Sequence, residues 1–162
     1  MVRICVDTSF LITFADPSRP NHHTAVEYYR HCLEAGHLLC LSTLVVAEFE
    51  CGQPITDLPL ASFHVVPFNF RHARESAKYQ KFLKNNPAEE TGNRNVVRND
   101  LKILAQAQLE NCTVILTEDA NTLTKWAERL RTANLCAISS ILLKDGFRPD
   151  ELTNPAQKTL GI

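Results

Sequence analysis

Residues 2–16 read VRICVDTSFLITFAD, and the reading of this stretch decides the fold. Arg3-Ile4-Cys5-Val6 is a short β-favouring run that stops at an acid, Asp7. Two small hydroxyl residues, Thr8 and Ser9, come next, and Phe10, Leu11 and Phe14 then fall at helical spacing. A carboxylate is therefore expected at the end of a central strand. Its ordinary role there is to cap the helix that follows, since Asp is a good N-cap and its charge suits the positive helix end. A desolvated carboxylate nevertheless costs several kcal/mol, by the order of magnitude for buried ions, unless it has a cation, a partner or a wet cleft.

The strand, hydroxyl cap, helix pattern recurs along the chain. Asn21 is a plausible cap for a helix running to about Ala35, ended by Gly36. His37–Leu41 reads as a strand, Ser42 and Thr43 as a cap, and the next segment as a helix through about Phe49. Leu41, Leu44, Val45 and Glu48 share one face of that segment, so Glu48 lies on the inward stripe, while Glu50 is an ordinary solvated charge. After a loop or short helical turn at Pro54–Pro59, Phe63–Val66 is a third strand. A helix from about Phe70 to Leu83 follows, with Ala73, Ala77, Tyr79 and Phe82 as packing candidates. Lys84–Arg94 is polar, carries Pro87 and Gly92, and reads as an exposed, mobile loop. Asp100, Ile103, Leu104 and Ala107 then share a helical face, which puts a third acid near a helix start and on its inward side. Thr113–Thr117 is the strongest buried-strand candidate and runs into Glu118-Asp119. A helix over about Asn121–Ala133 buries Leu123, Trp126, Ala127 and Leu130, and Leu135–Ile138 reads as a last strand. Residues 1–140 are expected to form one domain, with residues 141–162 a tail packed on it.

Strands alternating with amphipathic helices imply an α/β protein with a parallel sheet covered on both faces. Right-handed crossovers then bring every strand's C-terminal end to one edge, where ligands bind in such sheets.

The composition sets limits on function. With 17 Lys and Arg against 18 Asp and Glu, the chain has no global cationic surface, so a polyanion must be held locally. No apolar run approaches the roughly 18 residues of a membrane span, and no signal peptide is evident, so the expected location is cytoplasmic. The six cysteines show no CxxC spacing, and the histidines form no helical ligand pair, which disfavours a disulfide framework or a zinc site.

Asp7, Glu48, Asp100 and Asp119 can all reach one sheet edge. Four converging carboxylates without cationic partners repel one another unless a divalent cation sits among them. Oxygen-only ligands suit Mg²⁺ or Mn²⁺, and such a cation commonly handles phosphate. The segments VDTSFLITF, AEF around Glu48, NDLKILAQA around Asp100 and VILTEDANTL around Asp119 resemble, in order, the four motifs of the PIN-domain nucleases, over nearly the whole chain.

That resemblance implies a three-layer α/β/α sandwich, a Mg²⁺- or Mn²⁺-dependent endoribonuclease and frequently a homodimer. Many small relatives are toxins of VapBC-type toxin–antitoxin pairs, which implies an antitoxin protein as partner and RNA as substrate. Asp7, Glu48, Asp100 and Asp119 match the acidic positions, and Thr8 or Ser9 and Thr117 the supporting hydroxyls. Many relatives carry a further acid where this chain has Asn121, which could still accept a hydrogen bond from a water but adds no charge. Asp7, Asp100 and Asp119 are the expected metal ligands, with Glu48 orienting or deprotonating the attacking water. RNA contact is expected from the locally basic region of Lys78, Lys81, Lys84, Arg94, Arg98 and Lys102. The rival readings are a catalytically silent PIN-like module binding RNA or protein, and a HAD-type phosphatase. The phosphatase family expects a second acid where this chain has Ser9.

Overall fold

The computed structural model describes residues 1–86 and 94–153. Much of the expected loop at 84–94, and the end of the chain after 153, lie outside the described residues. Among the described residues the strands are β1 (Arg3–Val6), β2 (Leu38–Ser42), β3 (Phe63–Val66), β4 (Cys112–Thr117) and β5 (Ser139–Leu142). The helices are α1 (Thr8–Ala15), α2 (His22–Glu34), α3 (Thr43–Glu50), α4 (Phe70–Asn85), α5 (Arg94–Leu109), α6 (Leu123–Thr132) and α7 (Asp150–Thr153). All strand pairings are parallel, in the order β3-β2-β1-β4-β5. Right-handed crossovers place α1 to α3 on one face and α4 to α6 on the other, which gives the three-layer sandwich.

β1 is central because it is apolar on both sides: Ile4, Cys5 and Val6 are all buried. Its register aligns Val6 with Leu41 of β2 and Leu116 of β4, so Asp7, Ser42 and Thr117 emerge in one row at the carboxyl edge. The chain leaves β1 toward β2 on one side and reaches β4 on the other, so the topological switch point lies between β1 and β4. A crevice opens at the C-terminal ends of strands that diverge in this way.

Three expectations are corrected. The last strand is Ser139–Leu142, four residues beyond Leu135–Ile138. Asn134 takes a left-handed φ of 54°, and the N–H groups of Leu135 and Cys136 both donate to the carbonyl of Leu130, so that stretch closes α6. The sheet therefore runs past residue 140, and Leu143 and Leu152 are buried beyond it. The second correction concerns α4: Tyr79 is buried and Phe82 packs against the core as expected, but Ala73 and Ala77 are exposed, and His72, Ser76 and Leu83 complete the inward face. Two polar residues on the buried stripe obscure its period. Hydrogen bonds offset the burial of His72: Nδ1 accepts from the Asn69 N–H at 3.1 Å and Nε2 lies 3.0 Å from Glu110, which also pairs with Arg3. Thirdly, α5 begins at Arg94, so Asp100 lies well inside the helix. There it cannot serve as a first-turn acid for the helix dipole.

All six cysteines are free, and only Cys51 is exposed. Among the described residues no helix is long and apolar enough to cross a membrane.

The Asn69 side chain accepts from the N–H groups of Arg71 and His72 while His72 bonds back, forming a reciprocal cap on α4. Asn69→Ala is expected to lower unfolding free energy by about 1 kcal/mol, read by urea denaturation with an unchanged m-value.

Candidate active site

Asp7 is delivered by β1 and turned by the start of α1. Its Oδ1 accepts from the N–H of Phe10 at 2.8 Å, so the ordinary capping role is real. The carboxylate does more than cap. Ser9 Oγ donates to it at 2.8 Å, and Thr117 Oγ1 reaches Oδ2 at 2.5 Å from the end of β4. Those hydroxyls are themselves aimed from behind: the N–H of Glu118 donates to Ser9 Oγ and that of Asp119 to Thr117 Oγ1, each at 2.8 Å.

Thr8 and Ser9 serve different acids. Thr8 Oγ1 donates to Oε2 of Glu48, which α3 carries back toward α1. Asn99 Nδ2 donates to Oε1 of the same carboxylate at 2.7 Å. Asp119 sits in a turn that satisfies it locally. Its Oδ1 accepts from the N–H groups of Asn121 and Thr122 at 2.8 Å each, and its Oδ2 from the Thr122 hydroxyl. Asp100 differs: among the described residues its buried Oδ2 has no hydrogen-bond partner. Asp7, Glu48, Asp100 and Asp119 line one cleft of about 410 Å³, with Thr8 and Ser9 beside them. Thr117 lies beneath, fully buried, and holds Asp7.

Other expected residues sit outside this cleft. Asn121 is exposed and gives Asp119 its backbone N–H. The hydroxyl that reaches the Asp119 carboxylate belongs to Thr122, which sequence reasoning misses although an Asp three residues ahead of a Thr is a turn signal. Asn99 is missed as well. Its clue is an Asn in a helix interior, a position with little intrinsic preference for that residue. Arg94 and Arg98 are exposed one turn apart on α5, and Lys102 is half-buried with Nζ 3.4 Å from Asn99 Oδ1. Lys78 is paired with Glu75 at 2.6 Å, and Lys81 and Lys84 are exposed on α4 away from its packed face.

The acids fall into two electrostatic classes. Burial raises Asp7 to about 6 against the bonds from Thr117, Phe10 and Ser9, with the nearby charge of Asp119 adding to the rise. Burial likewise raises Asp100 to about 7, opposed by the Thr122 hydroxyl and reinforced by Asp119, Asp7 and Glu48. Asp119 moves the other way: burial pushes it up, but the Thr122 hydroxyl and the N–H groups of its own turn outweigh that and hold it below the usual range. Among the described residues no three acidic, histidine or cysteine side chains form a ready cage for an ion. The donor set still fits a hard cation. Mg²⁺ is commonly held by one or two carboxylates and completes its shell with waters and phosphate oxygens, and the unpartnered Oδ2 of Asp100 is such a donor.

Comparison with known proteins gives two findings. The family model of the PIN domain matches residues 4–128. Among solved structures the fold is similar to VapBC2 from Rickettsia felis bound to a promoter DNA fragment, with TM-score 0.60 and 14% identity over 86% of this chain and 98% of that one. It is similar also to FitAcB from Neisseria gonorrhoeae, with TM-score 0.59 and 17% identity over 92% and 99% of the two chains. VapC20 from Mycobacterium tuberculosis, a toxin that cleaves the sarcin-ricin loop, gives TM-score 0.51 and 17% identity over 74% and 92%. At these identities the likeness shows the fold. A search of curated proteins by sequence found no match.

The raised acids set a pH dependence whose sign is fixed. Between about pH 4 and 7 the unfolded chain has released the Asp100 proton that the folded state retains, so this group's contribution to stability falls as pH rises through that window. In EDTA, Asp100→Asn is expected to remove that group's share of the slope and to exceed the wild type at pH 7 by on the order of 4 kcal/mol, read by denaturation at several pH values.

Proposed function

The chain belongs to the PIN domain family, and on that premise we propose that it is a Mg²⁺- or Mn²⁺-dependent endoribonuclease that hydrolyses RNA phosphodiester bonds as the toxin of a toxin–antitoxin pair. The observation that carries this reading is the convergence of Asp7, Glu48, Asp100 and Asp119 on one cleft at the switch point, with an oxygen of Asp100 buried and unpartnered.

Asp7, Asp100 and Asp119 are the residues that would hold the cation. When bound, Mg²⁺ or Mn²⁺ supplies Lewis-acid activation of a water and neutralises charge on the attacked phosphate. Glu48, gripped by Thr8, orients the attacking water for in-line approach and takes its proton. Ser9 and Thr117 keep Asp7 in a single orientation, so its carboxylate would be held in place for a cation by the protein itself. Arg94 and Arg98 supply a cationic flank for the RNA backbone on the helix that carries Asp100. The VapBC2 complex on promoter DNA supports an antitoxin protein as partner, and the homodimer and cytoplasmic location expected from the sequence belong to the same reading.

Two measurements test this function. Mn²⁺ at a hundredfold excess over its dissociation constant is expected to stabilise the wild type by roughly 2.7 kcal/mol and leave Asp7→Asn unmoved, with RNA cleavage following the same pattern. If neither protein responds to metal, the acids are caps and hydrogen-bond partners, and the silent-module reading takes over. Reversing Arg94 and Arg98 to Glu is expected to weaken RNA affinity and to flatten its log–log salt slope by about 0.7 for each phosphate that the variant no longer neutralises, whereas an unchanged slope removes this footprint.

A further inference from the structure

Glu48 stands on α3, yet both of its carboxylate oxygens are engaged by side chains of other helices. Thr8 of α1 takes Oε2, and Asn99 of α5 takes Oε1 at 2.7 Å. The rotamer of Glu48 is thus set from two sides. Asn99 is the immediate neighbour of Asp100, so the helix that delivers one acid to the cleft also delivers the donor that fixes another. The amide orientation of Asn99 is determined by its surroundings. Its NH₂ faces the carboxylate of Glu48, and its Oδ1 faces the ammonium of Lys102 at 3.4 Å, one turn further along α5. Turned over, the amide would set oxygen against carboxylate and NH₂ against ammonium, which is unfavourable at both ends.

We propose that Asn99 is a positioning residue of the hydrolytic site, holding Glu48 toward the attacking water, and that Lys102 acts by orienting Asn99. The inference rests on the nuclease reading above. It gives Lys102 a different role from the RNA contact expected from its charge. Lys102 lies half-buried beside Asn99, whereas Arg94 and Arg98 are exposed. A group that orients a proton acceptor affects the rate of turnover, and a group that binds phosphate affects affinity and its salt dependence.

The test compares Asn99→Ala, Asn99→Asp and Lys102→Met with the wild type in Mn²⁺-dependent RNA cleavage. Asn99→Ala is expected to lower kcat by about 10- to 100-fold, the usual scale for residues supporting a metal site, with KM nearly unchanged. Asn99→Asp keeps the shape but replaces the donor with an acceptor, so it is expected to be at least as damaging; a purely space-filling role predicts near-normal turnover. Lys102→Met is expected to lower kcat and leave the salt slope of KM unchanged, while a raised KM with a flatter slope would return Lys102 to the RNA footprint. A readout independent of activity comes from amide NMR spectra of the metal-free protein, in which the Asn99 side-chain NH₂ signals are expected to move in Glu48→Gln and in Lys102→Met. Wild-type turnover that Asn99→Ala does not change, or NH₂ signals indifferent to Glu48→Gln, overturns the positioning role alone. A wild type that cleaves no RNA while those signals still respond overturns the nuclease reading and leaves the Asn99–Glu48 geometry standing.

Discussion

The carboxyl edge of the sheet is built around the burial of one charge. Asp7 is almost out of water, and a carboxylate there is tolerable only with donors in place. They come from both sides of the switch point: the first turn of α1 gives the Phe10 N–H and the Ser9 hydroxyl, and the end of β4 gives the Thr117 hydroxyl. The backbone N–H groups of Glu118 and Asp119 brace those hydroxyls in turn. This connected set of bonds joins β1 to β4 where the topology would otherwise leave an open crevice. It also fixes how far the first turn of α1 stands from the loop that carries Asp119.

Once Asp7 is held, the other acids divide by how their surroundings treat charge. Asp119 is satisfied by its own turn and keeps its carboxylate readily. Asp100 is buried, has one oxygen without a partner and lies near three other acids, so it resists ionising. Opposed environments of this kind are how a single cleft assigns different tasks to chemically identical groups. The surrounding sandwich, with its central strand buried on both faces, is the frame that holds these acids together.

The sequence showed the frame more clearly than its edges. β1, α3 and the inward faces of α5 and α6 follow from apolar spacing, which stays readable in α3 and α5 although Glu48 and Asp100 break into it. β5 escaped because two serines open it, and their sequence looks like a turn while their partners in β4 make them a strand. On α4 Tyr79 and Phe82 were legible, but the first turns of its face escaped because His72 and Ser76 are buried polar residues satisfied by hydrogen bonds that periodicity cannot see. The acids were legible because they end strands or interrupt stripes. Asn99 and Thr122 were not, because a neutral polar side chain announces a role only when its acceptor is known, and those acceptors are distant in sequence or formed by a turn.

The hydrogen bond from Thr117 to Asp7 joins residues 110 positions apart. Closing a loop of that length carries an entropic cost that the local contacts of a helix do not. A ribosome releases Asp7 long before it has made Thr117, so the nascent chain holds the first acid without the hydroxyl that fixes it. The assembled cleft is therefore a property of the finished sandwich, since it draws on residues from both ends of that span.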